Sequence, residues 1–260
     1  MGIFVKKLDE NLPNSDIFSI LNTKRTIPKS TIKMPVNIKT ENKCQHPIVA
    51  VDMTIFTVQE NTLQVLLIQM KKKPFQGKWA LPGGLVKINE TLDEAAKRIL
   101  AEETNVRNVY LEQLYSFSDL NRDPHQRVIS VAYFALINAQ GIKLKTIPKY
   151  ADVQWFSIKK VPSDLAYDHK KILKYALTRL KSKLEYTNIV YGLLPKKFTL
   201  SQLQKIYEVI LNRKLDKRNF RKKILFLDLL KPTSSFQKGK HRPARLYEFK
   251  KRKPMFVEIL

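Results

Sequence analysis

The chain has 260 residues, 43% hydrophobic and 10% aromatic, which is enough apolar material for one large or two smaller packed domains and too much for a disordered protein. A single cysteine, Cys44, excludes an internal disulfide framework, and the polar start MGIFVKKLDENL with no apolar run near the roughly 18 residues of a membrane span argues against secretion and insertion. The net charge of +25 is uneven, because residues 170–260 hold 25 Lys and Arg against 6 Asp and Glu, a net of +19. These features predict a cytoplasmic protein with no membrane partner, whose last third meets a polyanion. A solvated lysine-rich surface would give the same excess, so charge alone does not decide.

Residues 1–45 lack sustained periodicity and are predicted to be a loosely ordered extension. From His46, PIVAVDMTIFTV and TLQVLLIQM are β-rich runs separated by QEN, a hairpin pattern. KKKPFQGKWALPGG reads as loop. Thr91 followed by Glu94 is a capping box that opens a helix to about Thr104, with Leu92, Ala95, Ala96 and Ile99 on one face. VYLEQLYSF and VISVAYFALI are predicted strands flanking SDLNRDPHQR, and a strand near VQWFSI closes an α+β domain by about residue 165. Leu173, Leu177, Leu180 and Leu184 recur at helical spacing and predict a connecting helix.

A second capping box, Thr199 with Gln202, precedes the helix SQLQKIYEVIL. LDKRNFRKKILFLDLL reads as a further helix with Asp216 at its N-cap and Phe220, Ile224 and Leu227 as its buried stripe. SSFQKGKHRPARLYEF then has the form of a hairpin with a cationic tip. Helix, helix, basic helix and basic hairpin is the order of a winged helix-turn-helix. A helix whose exposed face carries Lys217, Arg218, Asn219, Arg221 and Lys222 suits a major groove, with Arg and Lys for phosphate or guanine and Asn for adenine. Asn219 could instead brace the helix start. Lys238, Lys240, His241, Arg242 and Arg245 suit a wing on the DNA backbone or in the minor groove.

The run GGLVKINETLDEAAKRILAEETNV resembles the Nudix box. Gly84, Glu90, Arg98, Leu100, Glu102, Glu103 and Val106 match its spacing, while Ile99 and Asn105 depart from it. GKWALPGG and the later Trp155–Phe156 pair are also Nudix-like, so this resemblance covers roughly residues 46–165. It implies a site for a phosphoanhydride, with clustered carboxylates to hold Mg²⁺ and a glycine turn, Gly83–Gly84, that lets backbone approach the ligand. In the family, the glutamate straight after the arginine is a principal metal ligand or base. Here it is Ile99, which can neither bind Mg²⁺ nor take a proton. Glu102 and Glu103 remain weak candidates for one ion, or else belong to a structural network in which Arg98 locks Glu102 by an i,i+4 pair. No cofactor is required. RDPHQRVISVAYFAL resembles the loop and strand of Nudix proteins that handle ADP-ribose, with His125 at the second arginine position. Arg122 and Arg127 are candidates for phosphate contact, or for bracing the pocket through Asp123.

Taken with the basic third, the chain resembles the Nudix-related transcriptional regulators, a family of NAD-metabolism repressors with a pentose-responsive branch. The resemblance spans roughly residues 46–250 and implies an α+β protein, a Nudix-type α/β/α sandwich with a mixed sheet followed by a winged helix-turn-helix domain. The expected layout is an extension (1–45), an effector-binding domain (46–165), a linker helix (166–190) and a DNA-binding domain (191–260). The implied function is a repressor, working as a homodimer on operator DNA, whose non-catalytic Nudix domain senses ADP-ribose or a related NAD-pathway compound. A pentose-sensing regulator of sugar catabolism and an active hydrolase of ADP-ribose-like substrates are the alternatives. Gly83, Gly84, Arg98, Glu102, Glu103, Arg122 and Arg127 are then the expected effector-binding residues.

Overall fold

Strands β1 (Ile48–Gln59) and β2 (Thr62–Met70) form the expected hairpin, in register from Phe56 opposite Val65 to Gln59 opposite Thr62. Its turn residues, Glu60 and Asn61, both adopt positive φ (49° and 56°), which gives a two-residue turn the twist its strands need. This computed structural model describes residues 46–105, 109–144, 148–237 and 243–260; the extension 1–45 lies outside the described residues. Residues Gln45–Leu260 form one compact unit.

Toward its start β1 changes partners. Ala50, Val51 and Asp52 pair with β4 (Gly83–Leu85), while β2 pairs with β3 (Trp79–Ala80) at Ile68 and Gln69 and with β7 (Tyr150–Ser157) from Gln64 to Met70. The segment expected as pure loop thus contributes two short strands. Their lengths of two and three residues explain why alternation gave no signal. On its other edge β1 runs parallel to β6 (Val128–Leu136), which carries β5 (Tyr110–Phe117) antiparallel. The result is a seven-stranded mixed sheet whose β1 and β2 diverge at one end.

Helix α1 (Leu92–Thr104) lies on one face and α2 (His169–Tyr186) on the other. The Thr91–Glu94 capping box is present in both directions, and Asn105 ends α1 in the left-handed region at φ 53°. Ala95, Ala96, Ile99 and Leu100 of α1 pack with Val51, Met53 and Ile55 of β1. On the opposite face Ile172, Leu173, Ala176, Leu180 and Leu184 pack with Phe56, Leu67 and Phe134. Helix α2 is therefore the second outer layer of the sandwich and not merely a connector. Its leucine spacing is that of any amphipathic helix, and only the sheet it covers tells the two roles apart.

The same apolar core runs on without a break into the last third. It includes Leu203, Ile206, Tyr207 and Ile210 of α3 (Leu200–Leu211) and Phe220 and Ile224 of α4 (Lys217–Phe226). The second capping box, Thr199 with Gln202, is formed, and Asp216 caps α4 by accepting from the Asn219 amide. Leu227 is the C-cap of α4 and only partly buried; the chain then enters β8 (Leu230–Gln237), so the expected helix ends sooner than the apolar pattern implied. Strand β9 (Ala244–Phe249) completes the hairpin with β8.

Gly192 marks where the two halves meet. A Cβ there would lie 2.9 Å from both the Cβ and the carbonyl oxygen of Leu136 on β6. Gly192→Ala is expected to destabilise the protein by about 1–3 kcal/mol through overpacking, because a strand carbonyl cannot step aside as a flexible side chain can. Urea denaturation of the variant checks this, and an unchanged midpoint would show that the contact is soft.

Candidate functional site

Where β1 and β2 part, they leave a cavity of about 230 Å³ floored by Ala50 and Asp52 of β1, Ile68 and Met70 of β2, and Gly83–Leu85 of β4. Arg122, Lys149, Tyr150, Tyr167 and His169 line the rest. Its buried wall is built around Asp52. The carboxylate accepts from Ser130 Oγ (2.6 Å) and Arg122 Nη2 (2.9 Å), and its other oxygen lies 3.4 Å from His169 Nε2. His169 Nδ1 accepts from the Leu81 amide (2.8 Å), which leaves its proton on the Nε2 that faces Asp52. Burial alone would raise the Asp52 carboxyl, but His169, Arg122 and Ser130 together hold it well below the usual carboxylate range.

Asp168, at the start of α2, completes the cluster by accepting from Arg122 Nη2 (2.8 Å) and Nε (3.3 Å). Turned that way it does not cap its helix. Gly83 is required here, since a Cβ would meet Asp52 Oδ1 at 2.5 Å. Asp52, Asp168 and His169 were not singled out from the sequence. Asp52 sits in a continuous apolar strand run, where a lone buried carboxylate was the one available signal.

The Nudix-like helix holds together differently from expectation. Arg98 binds Glu90 through both Nε (2.9 Å) and Nη2 (2.6 Å), and also the Leu85 carbonyl (3.2 Å), whereas Glu102 is a long 3.4 Å away. The i,i+4 pair is thus the weaker contact, because the loop before α1 brings Glu90 back across Arg98 in a two-pronged geometry that Glu102 cannot match. The Arg98 bonds hold the Glu90 carboxyl down at about 2. Ile99 is buried, and its Cδ1 lies 3.7 Å from where a Gly84 Cβ would stand. Ile99 is thus part of the apolar seal between α1 and β4.

Glu103 is also buried, and desolvation pushes its carboxyl up to about 7 against the opposing pull of the Tyr150 hydroxyl and of Lys149. Lys149 donates to the Gly83 carbonyl (2.7 Å) and stands over the Tyr150 ring. It was not anticipated, since nothing in its local sequence distinguishes it from the many other lysines.

Of the residues expected to contact an effector, Gly83, Gly84 and Arg122 line the cavity; Arg98, Glu102, Glu103 and Arg127 do not. Arg127 Nη1 donates to the carbonyls of Ser118 (2.9 Å) and Asp119 (3.1 Å), so it braces its own loop. Asp123 accepts from the amides of His125 and Gln126 and forms the turn in that loop.

In the last third, Lys217, Arg218, Asn219 and Lys222 are exposed on α4. Arg221 is turned toward α3, where its Nη2 donates to Ser201 Oγ (2.8 Å). Arg245 is exposed on β9 over the Phe236 ring. Lys238, Lys240, His241 and Arg242, assigned to the wing tip, lie outside the described residues.

Known proteins resemble both halves. The NUDIX domain family matches residues 47–176, and the NrtR DNA-binding winged helix domain family matches residues 190–249. The ADPR responsive transcriptional repressor NtrR of Acinetobacter baylyi is 38% identical over 206 residues, covering 78% of this chain and 82% of that protein. The ADP-ribose pyrophosphatase of Methanocaldococcus jannaschii is 38% identical over 129 residues, covering 50% of this chain and 72% of that protein. Shewanella oneidensis NrtR, in its crystal structure with a 27mer DNA, is 34% identical with a TM-score of 0.70, covering 78% of this chain and 93% of that one. With both domains in the same order and a likeness that spans the two, the chain belongs to the NrtR family of Nudix-domain transcriptional regulators.

Proposed function

We propose that this protein is a transcriptional repressor that grips operator DNA with α4 and the β8–β9 wing and is controlled by ADP-ribose held in the cavity between β1 and β2. The observation that carries the proposal is the continuous core from the cavity-bearing sheet through α2 to α3 and α4. A ligand that favours one arrangement of the sheet end is thereby coupled to the DNA-binding helices through packed side chains, not through a flexible tether. The resemblance to an ADPR responsive repressor along most of the chain supports the choice of effector.

Lys217, Arg218, Asn219 and Lys222 present the exposed face of α4 to the major groove, and Arg245 on β9 meets the DNA from the wing. Gly83 and Gly84 let backbone come close to the effector; Arg122 shapes the wall and Arg98 fixes the α1 entry. The protein works as a cytoplasmic homodimer, because one recognition helix per subunit reads a palindromic site. Among the described residues no helix is long and apolar enough to cross a membrane.

Hydrolysis is the competing reading, favoured by the likeness to an ADP-ribose pyrophosphatase. Ile99 opposes it, since activation of water needs a base that a buried isoleucine does not supply. Wild-type turnover of ADP-ribose with Mg²⁺ or Mn²⁺ is therefore expected to be absent or very slow. Ile99→Glu is expected to recover little, because the new charge enters the apolar seal under Gly84. Brisk wild-type cleavage would make the protein an enzyme.

The repressor reading is tested by a gel shift on the protein's own upstream region with ADP-ribose titrated in, beside thermal unfolding with ADP-ribose or a pentose. A ligand at about 100 times its Kd adds roughly 2.7 kcal/mol of stability. Stabilisation by a pentose and none by ADP-ribose would replace the effector.

A further inference from the structure

The Nudix relationship raises the question of a divalent ion, and the residues around the α1 C-terminal half do not fit one. Mg²⁺ demands about six oxygen ligands in near-octahedral geometry. The position after Arg98 is Ile99, packed into the core. Glu102 is drawn toward Arg98, and Glu103 lies buried beside Tyr150 and Lys149. Among the described residues, no three His, Cys, Asp or Glu side chains assemble into a ligand set. The carbonyl oxygen of Gly83, at the cavity rim, is already taken by an ammonium group, Lys149 Nζ at 2.7 Å.

From this we infer that Lys149 does the work of the missing ion: its ammonium, braced on the Gly83 carbonyl, is the cation that meets the diphosphate of the effector, and binding needs no metal. The inference rests on the effector reading above and sharpens it to one side chain. An ammonium has three donors, of which Gly83 uses one, so two remain for phosphate oxygens. Lys149 lines the cavity on the same wall as Gly83 and Gly84 and stands over the Tyr150 ring, which limits its swing. The cavity's other lining cation, Arg122, is less free. Its guanidinium is held by Asp52 and Asp168, whose two charges exceed its one. Lys149 by contrast forms no ion pair within 4 Å among the described residues, and Glu103 and Glu102 act on its charge only from further off. With Arg122 committed to its two carboxylates, Lys149 is the lining cation left to attract an anionic ligand. The exchange also has a chemical logic: a lysine charge neutralises phosphate as an ion does but cannot lower the pKa of a bound water, so the ligand is held and not cleaved.

The test is calorimetry of ADP-ribose binding to the full chain in EDTA and in Mg²⁺, for wild type, Lys149→Met and Lys149→Arg. The wild-type Kd is expected to agree in the two buffers within about twofold, since no ion takes part. Lys149→Met is expected to weaken binding at least about tenfold in EDTA, the scale of one charge-assisted hydrogen bond, with Lys149→Arg intermediate. Thermal unfolding of the apo variants confirms that they are folded. Wild-type binding that disappears in EDTA, or a Lys149→Met variant that binds as wild type, would overturn the inference while leaving ADP-ribose as effector. No binding of ADP-ribose by wild type in either buffer would remove the effector reading, and this inference with it.

Discussion

Arg122→Ala is expected to cost about 3–5 kcal/mol of folding stability at neutral pH, the scale for removing one partner of a buried ion pair. The Arg122 side chain is only 4% exposed, and its guanidinium lies between Asp52 (2.9 Å) and Asp168 (2.8 Å), whose side chains are 9% and 13% exposed. Truncation leaves two carboxylates nearly out of water with Ser130 and His169 as the remaining support for Asp52. The dependence on pH has a definite sign. In the wild type, the Asp52 carboxyl is held below its unfolded value of roughly 3.9, so its contribution to stability is present above that pH and lost as pH falls through the folded value. Without Arg122 the folded value rises, and protonation relieves the buried charge. The gap between wild type and variant should therefore be widest near pH 7 and narrow toward pH 4. Denaturant unfolding at both pH values measures it, and Arg122→Lys separates charge from the two-pronged geometry. An equal gap at both pH values, or one below about 1 kcal/mol, would mean that the cluster is not an ionic network.

Operator binding is expected to fall steeply with salt. If each subunit of a dimer neutralises about four phosphates, the log–log slope approaches −7, so a rise from 50 to 200 mM salt weakens binding on the order of 10⁴-fold. Arg218→Ala removes an exposed cation from α4. If it touches phosphate, affinity drops for all sequences alike and the slope falls by about one; if it reads a base, the loss is about 1–3 kcal/mol and one operator position relaxes. Arg221→Ala should behave differently, because its guanidinium is bonded to Ser201 on α3. Its first effect is on the packing of α4 against α3, visible in thermal unfolding before DNA binding. Point variants are the right instrument here. A chain ended after Lys183 would strip Leu184, Ile189 and the α3 and α4 side chains from a core they share with the sheet, and would unfold what it was meant to isolate. A slope near zero, or Arg218→Ala and Lys217→Ala variants that bind as wild type, would defeat the winged-helix assignment.

Patterns confined to one turn or one strand were legible in the sequence of this protein. Thr91 with Glu94 and Thr199 with Gln202 announce helix starts because both partners of a capping box lie three residues apart. Asp216 announces α4 in the same way, and the runs around Glu60–Asn61 announce a hairpin. Ile99 was legible as a departure from the Nudix pattern because the resemblance supplied the spacing against which to read it. Tertiary structure alone decided what those elements do to one another. Arg122 meets Asp52 across 70 residues and Asp168 across 46, and Lys149 reaches Gly83 across 66. No periodicity encodes such pairs, since they depend on which strands lie side by side in the sheet. Arg98 prefers Glu90 to the helical neighbour Glu102, since a two-pronged bond from the preceding loop outweighs a long i,i+4 contact on an exposed helix face. Helix α2 looks like a connector in sequence and becomes an outer layer of the sandwich because the second face of the sheet has to be covered, and only the folded sheet has a second face.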